Sequence, residues 1–314
     1  MLSEETTMAD GGGPRLTEVA PGVHAWHQPD GSWWINNAGA VHGADGVILI
    51  DTCATAERTR RFLAAVDAAT GGAPVRMAVN THFHGDHAYG NALLPGSAVV
   101  VGHRATREEL LADFILRSTP PIWSPSPDWG VSDIRPPAVV LDDELTLFTG
   151  ERRIELRHPG HRAHTAGDVV AWLPEEQVLF TGDLVFHEVT PLVLMGSVEG
   201  ALRSLDWLAG FGARTVVPGH GAIITGELAP VLAAHEAYYR LILDTARRGR
   251  EEGLTPLEAA RTCDLGPFAE WPDRERVVLN LHRAYADAEG AELDLIAAFT
   301  DAIAYNGGPL RCAV

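Results

Sequence analysis

Residues Asn80–Asn91 read NTHFHGDHAYGN, placing His82, His84, Asp86 and His87 within six positions of one another. They follow Val75–Asn80, a short apolar stretch bounded by turn residues that reads as a strand. In an extended segment, residues i and i+2 point to one side, so His82 and His84 can hold one ion while Asp86 and His87 turn toward another. An isolated histidine is as a rule a solvated loop residue. Three imidazoles and a carboxylate packed this closely predict a metal site instead.

Two metals need further donors, and other strand ends offer them. His164 lies in GHRAHTAGDVV (160–170) near His158 and His161, and periodicity does not choose among the three. Asp183 follows the apolar VLF in TGD (181–183), where taken alone it reads as a turn aspartate. His220 follows TVV in PGHG (218–221), whose glycines permit close backbone approach.

The pattern around these positions alternates strand and helix. Strands are expected in GVHAWH (22–27), WWINNAGAVHG (33–43) and GVILID (46–51). Ala54–Ala69 carries Phe62, Leu63 and Val66 at helical spacing and completes a βαβ unit with Val75–Asn80. A further strand, Ser97–Val101, and a helix, Ala105–Leu116, with Glu108 and Glu109 on its polar face, continue the alternation. Ser118–Pro137 then holds six prolines and two tryptophans in twenty residues, too long for a simple connection and too aromatic for a linker, which predicts a lid. Short strands at Ala138–Leu141, Leu145–Phe148, Arg153–Arg157, Val169–Leu173 and Val178–Thr181 predict a second sheet. A helix (Val198–Ala209), a strand (Thr215–Val217) and a helical remainder from Glu227 follow, the last helix placing Leu295, Phe299 and Ile303 on one face before Asn306-Gly307-Gly308. The expected architecture is an α/β sandwich: a mobile leader at 1–16, the sandwich over 17–225, and a helical C-terminal extension at 226–314 packed on the same domain.

Composition removes several classes of function. All 24 basic residues among the 314 are arginine, so neither Schiff-base chemistry nor a P-loop lysine is available. A net charge of −18 repels polyphosphate and argues against nucleic acid as a partner. Cys53, Cys263 and Cys312 are odd in number and far apart, which predicts free thiols and a reducing, cytoplasmic setting. The opening MLSEETTMADGGGP lacks the basic and apolar regions of an export signal. No apolar run approaches the roughly 20 residues that span a bilayer, so no membrane association is expected.

In order along the chain, LIDT with Asp51, the HFHGDH block, AHTAGD with His164, TGD with Asp183 and PGHG with His220 resemble the five motifs of the metallo-β-lactamase-fold hydrolases. The resemblance implies a four-layer αββα sandwich. It assigns His82, His84 and His164 to a first metal, Asp86, His87 and His220 to a second, and Asp183 to a bridge between them. Aspartate at 183, where many β-lactamases of this fold carry cysteine, implies the glyoxalase-II-like arrangement of two zinc ions, although such a donor set also accepts iron or manganese. Asp51 is not a direct ligand in that family and is expected to support a histidine. A narrower resemblance links SWWINNAGAV (32–41), VNTHFHGDHAYGN (79–91), VTPLVLMGSVEGAL (189–202), TPLEAARTCDLGPFAE (255–270) and AYNGGPL (304–310) to the actinorhodin-type aromatic polyketide cyclase-thioesterases.

That likeness implies a metal-dependent cyclase and thioesterase acting on an intermediate carried by an acyl carrier protein. Asp86 or a metal-activated water would remove the acidic proton between two carbonyls, and the same site would hydrolyse the thioester. The simpler alternative is a glyoxalase-II-like thioesterase or a lactonase on a small ester. A polycyclic substrate needs an apolar cleft, for which Tyr89, Trp123, Trp129, Phe186, Leu192 and Met195 are the candidates. Because a carrier protein is acidic like this chain, docking would rest on local arginines, Arg104, Arg107 and Arg117 or Arg58, Arg60 and Arg61, which otherwise read as solvated helix faces. The residues do not specify an oligomeric state.

Overall fold

The protein is described by a computed structural model over residues 12–314. Strands β1 (Arg15–Ala20), β2 (Val23–His27), β3 (Ala38–Gly43) and β4 (Gly46–Ile50) form an antiparallel meander. Arg15 already pairs with His27, so the first strand begins inside the stretch expected to be a leader, whose residues 1–11 lie outside the described region. Helix α1 (Ala56–Thr70) crosses to β5 (Val75–Val79), parallel to β4. The short α2 (Gly85–Ala88) and a 3-10 turn (Tyr89–Leu93) lead to β6 (Val99–His103), and α3 (Arg104–Ala112) and α4 (Ile115–Ser118) lead into the proline-rich segment with β7 (Trp123–Ser124).

One strand changes sheet relative to expectation. β8 (Val139–Leu141) pairs parallel to β6, Val101 opposite Val139, and so closes the edge of the first, seven-stranded sheet. Three residues carry no period that could reveal which neighbour they choose; Ala138 N–H donating to Val100 O at 2.8 Å decides it. The second sheet contains β9 (Glu144–Thr149), β10 (Arg152–Arg157), β11 (Val170–Leu173), β12 (Val178–His187), β13 (Thr215–Gly221) and β14 (Ile224–Thr225). Helix α5 (Val198–Ala209) makes the crossover between the parallel β12 and β13. Helices α6 (Ala229–Glu251), α7 (Pro256–Thr262), α8 (Arg276–Glu289) and α9 (Leu295–Asn306) follow, and β15 (Leu310–Arg311) ends the regular structure.

Side-chain alternation builds the layers. In β4, Ile48 and Ile50 face the second sheet while Val47 and Leu49 face α1, so a continuous apolar run is buried on both sides. β12 and β13 do the same on the other sheet: Phe180 and Val217 point between the sheets, Leu179 and Val216 toward the outer helices. With α1 on one outer face and α5, α6 and α8 on the other, the result is an αββα sandwich.

The end of the chain reaches back over this frame. α9 stops at Gly307 in a left-handed C-cap, and β15 then pairs in parallel with β7, Leu310 opposite Trp123. Leu310 N–H donates to Ile122 O at 2.8 Å, so the C-terminal segment pins the proline-rich segment in place.

Candidate metal centre and the cavity above it

All seven side chains singled out as ligands come together at one end of the facing sheets. His82, His84, His164 and Asp183 present donor atoms mutually within 4.8 Å, as do Asp86, His87 and His220. Asp183 joins the two sets. Its Oδ2 lies 3.3 Å from His164 Nε2, 3.8 Å from His82 Nε2 and 3.4 Å from His220 Nε2, and its Oδ1 lies 3.1 Å from His87 Nε2. It sits inside β12, not after it: Gly182 takes φ +50° and interrupts the pairing with β13, turning the next carboxylate into the cluster.

Partners outside the cluster set the proton on each imidazole. Asp51 accepts from Thr81 N–H (2.7 Å), Thr81 Oγ1–H (2.7 Å) and His87 Nδ1–H (2.8 Å). Since Thr81 Oγ1 donates to Asp51, it accepts from His82 Nδ1 at 3.0 Å. His164 Nδ1 donates to Leu192 O at 2.6 Å and His220 Nδ1 to Gly31 O at 2.9 Å. When neutral, each of these four rings therefore turns an unprotonated Nε2 inward. His158 and His161 bond Asp168 O and Gly200 O instead, which leaves His164 as the histidine of that motif in the cluster.

This arrangement fits a pair of divalent cations. His84 Nδ1 stands 3.1 Å from His82 Nε2 and 2.9 Å from His164 Nε2, too few protons being present to bridge every contact. His87 Nε2 and Asp183 Oδ1 are buried without a hydrogen-bond partner among the described residues, although only 3.1 Å apart. Lone pairs facing lone pairs repel unless a cation or a proton lies between them. Four donors about 2.1 Å from a tetrahedral centre are separated by about 3.4 Å, the spacing seen here. Without cations, burial pulls His220 down but Asp183 and Asp86 outweigh it and raise it to about 9, and the same carboxylates raise His87. Burial and His164 push His84 down to about 3. Metal uptake is thus coupled to proton release.

Asp51 takes φ +61°, a strained backbone that places its carboxylate under Thr81. Asp51→Asn sets an amide N–H against one of three donors and frees the His87 tautomer. Metal affinity is expected to fall about 10- to 100-fold, measured by chelator competition.

Above the cluster lies a cavity of about 280 Å³ with apolar walls. His84, Asp86, Asp183 and His220 form its floor. Of the residues expected there, Tyr89, Trp123, Phe186, Leu192 and Met195 line it. Trp129 does not: it stands behind Trp34, ring centroids 4.6 Å apart, with its indole N–H donated to Thr119 Oγ1. The Tyr89 hydroxyl is committed to Asp113, 3.0 Å away. Trp33, Trp34, Arg276, Leu295 and Phe299 also line the walls and were not foreseen. Trp34 takes φ +67°, and Arg276, Leu295 and Phe299 arrive from α8 and α9, so no local pattern marks them. Arg58 is buried and bonded to Gln28 and Asn36, and Arg104 is tied to Asp142, which removes Arg58 as an exposed docking group. No helix among the described residues is long and apolar enough to cross a membrane.

Two facing sheets that carry paired His/Asp donor sets at one end define a dimetal hydrolase scaffold. The family model of the metallo-beta-lactamase superfamily matches residues 31–220, and the chain belongs to that superfamily. It is similar to the linear primary-alkylsulfatase of Pseudomonas sp. (24% identity, covering 72% of this chain and 49% of that protein). It also resembles the hydroxyacylglutathione hydrolase of Methylococcus capsulatus (31% identity over 141 residues, 44% of this chain and 45% of that one). The chain spans about half the length of these curated relatives. Among solved structures, the sec-alkylsulfatase Pisa1 from Pseudomonas sp. shares the fold with TM-score 0.67 at 18% identity, covering 90% of this chain and 51% of that one. A metallo-beta-lactamase from Pontibacter korlensis does so with TM-score 0.58 at 21% identity, covering 73% and 99%. None of these relatives is a polyketide cyclase.

Proposed function

We propose that this metallohydrolase is a cyclase and thioesterase for an aromatic polyketide intermediate carried by an acyl carrier protein. The observation that carries the reading is the aromatic cavity opening directly on the His/Asp cluster. Two zinc ions in that cluster would supply Lewis acidity toward a carbonyl and acidify a water. The chain supplies the rest. Trp33, Trp34, Trp123 and Phe299 line the cavity with aromatic surface suited to a planar substrate. Phe186 stacks on His220, centroids 5.3 Å apart and planes 9° from parallel, fixing that imidazole below the substrate. Asp86 borders both the cluster and the cavity, so ring closure and hydrolysis are expected to fail together in Asp86→Ala.

The test is incubation of metal-replete protein with a carrier-bound or N-acetylcysteamine-bound poly-β-ketone, products being followed by mass spectrometry. Ring-closed acid that vanishes on chelation supports the reading. Open-chain acid alone favours the second reading, a glyoxalase-II-like thioesterase, which the 31% identity to a hydroxyacylglutathione hydrolase supports. Arg107 and Arg117, on the helices α3 and α4 that also contribute Glu109, Ala112 and Ile115 to the cavity lining, are the proposed contacts for the carrier protein.

A further inference from the structure

Four buried polar atoms on residues of the cavity wall have no hydrogen-bond partner among the described residues: Trp34 Nε1, Trp123 Nε1, Arg276 Nε and Glu109 Oε2. A buried polar atom without a partner calls for an explanation. Three of these are donors. Glu109 differs, because it can take up and release a proton.

Glu109 and Ala112 on α3, with Asp113 at its C-cap, stand at i, i+3 and i+4 and line the cavity together with Phe83, His84 and Met195. The Asp113 carboxylate is occupied by the Tyr89 hydroxyl and by Leu116 N–H. Glu109 makes no hydrogen bond or ion pair with any described residue. The charged groups around it are Asp168 and Arg162 from the loop before β11 and Glu108 on its own helix. Arg162 donates to Met195 O, Arg107 to Pro137 O, and Asp168 accepts from Thr165, so none of them neutralises Glu109 by contact.

We propose that Glu109 is the acid–base residue of the cavity, taking a proton from the methylene between two carbonyls of the bound poly-β-ketone and returning it to the alkoxide formed on ring closure. This rests on the cyclase reading. The C–H bond breaks, its electron pair becomes the enolate, and the proton passes to Glu109. The enolate carbon then bonds to a ketone carbon, the C=O electron pair moves onto oxygen, and Glu109 gives its proton back. No oxidant or further reactant is needed.

Burial, then Asp168, pushes the Glu109 carboxyl up to about 7 while Arg162 opposes them, which matches it to proton transfer near neutral pH. Asp86 is less suited, because its Oδ2 is turned into the cluster, 3.2 Å from His220 Nε2 and 3.7 Å from His87 Nε2.

The test uses 2-methyl-3-oxobutanoyl-N-acetylcysteamine, which has one acidic C–H and is too short to close a ring. Deuterium uptake at that carbon in D₂O is followed above the buffer rate. In the unaltered holoenzyme the rate is expected to rise with pH through about 7 and level off, since the carboxylate is the active form. Glu109→Gln is expected to lower enzyme-dependent exchange about a hundredfold and remove the pH limb, with Glu109→Asp restoring part of both. Metal content and thermal unfolding, measured on each variant, show that fold and cluster persist. Unchanged exchange, or an unshifted pH limb, in Glu109→Gln overturns the role of Glu109 and leaves the cyclase reading standing. Absence of enzyme-dependent exchange in the unaltered protein overturns both.

Discussion

Asp183→Ala is expected to lower turnover about a thousandfold or more and to leave the protein unable to retain two metals. The reason lies in its position. Its two oxygens approach four imidazoles, His82, His164 and His220 through Oδ2 and His87 through Oδ1. Among the described residues no other carboxylate reaches both donor sets. A Lewis-acid pair is worth several kcal/mol of transition-state stabilisation, and each 1.4 kcal/mol is tenfold in rate. Removing the bridge also leaves the inward Nε2 atoms of His87 and His220 without their principal counter-charge. Elemental analysis after gel filtration measures the metal. A thermal melt with and without chelator gives a second reading, because a bound metal stabilises the folded state by mass action. The unaltered protein is expected to lose several degrees on chelation, whereas Asp183→Ala has little left to lose. Two retained metals and near-normal turnover would remove Asp183 from the centre of the site.

Gly219→Ala is expected to be nearly as damaging, although it changes no ligand. A Cβ built at this position meets Asp183 Oδ1 at 1.9 Å, Gly182 C at 2.7 Å and Asp183 N at 2.8 Å. Two of these are backbone atoms that cannot rotate aside. The segment cannot retreat either: Asn37 N–H donates to Gly219 O at 2.7 Å, and Asn37 Nδ2 donates to Pro218 O and Gly221 O, both at 2.9 Å. Overpacking a rigid interior costs about 1–3 kcal/mol, and here the strain falls on the bridging carboxylate itself. Urea unfolding should show a midpoint shift of that size, and chelator competition a loss of the second metal. Gly96→Ala, with nothing within 4 Å of the added carbon, serves as the control and is expected to be near neutral.

The clustering of the His/Asp donors was legible because they sit in short motifs at the ends of strands with strong apolar patterns. His82, His84, Asp86 and His87 occupy one turn of chain, and Asp183 and His220 follow the runs VLF and TVV. The choice of His164 over His158 and His161 was different. It needed the family resemblance in the sequence and the Leu192 carbonyl in the structure. The cavity was legible in part. Trp123 and the stretch Phe186–Met195 lie beside recognisable motifs, whereas Trp129 was misplaced because the fold puts Trp34 in front of it. Glu109 read as a solvent-facing residue of an amphipathic helix, since spacing reports which face is polar but not that the polar face lines a cavity.

What the sequence by itself determined is local: the βαβ alternation, the apolar runs buried on both sides, and the donors bunched at strand ends. These follow from side-chain periodicity and from chemistry carried within a few residues. What only the tertiary structure decided is the meeting of distant segments. β8 chose the first sheet through one backbone pairing, β15 returned to hold the segment bearing Trp123, and α8 and α9 supplied Arg276, Leu295 and Phe299 to a wall begun by Trp33 and Trp34. Such contacts join residues tens to hundreds of positions apart. They are selected by packing and by the need of each buried polar group for a partner, neither of which leaves a period in the chain.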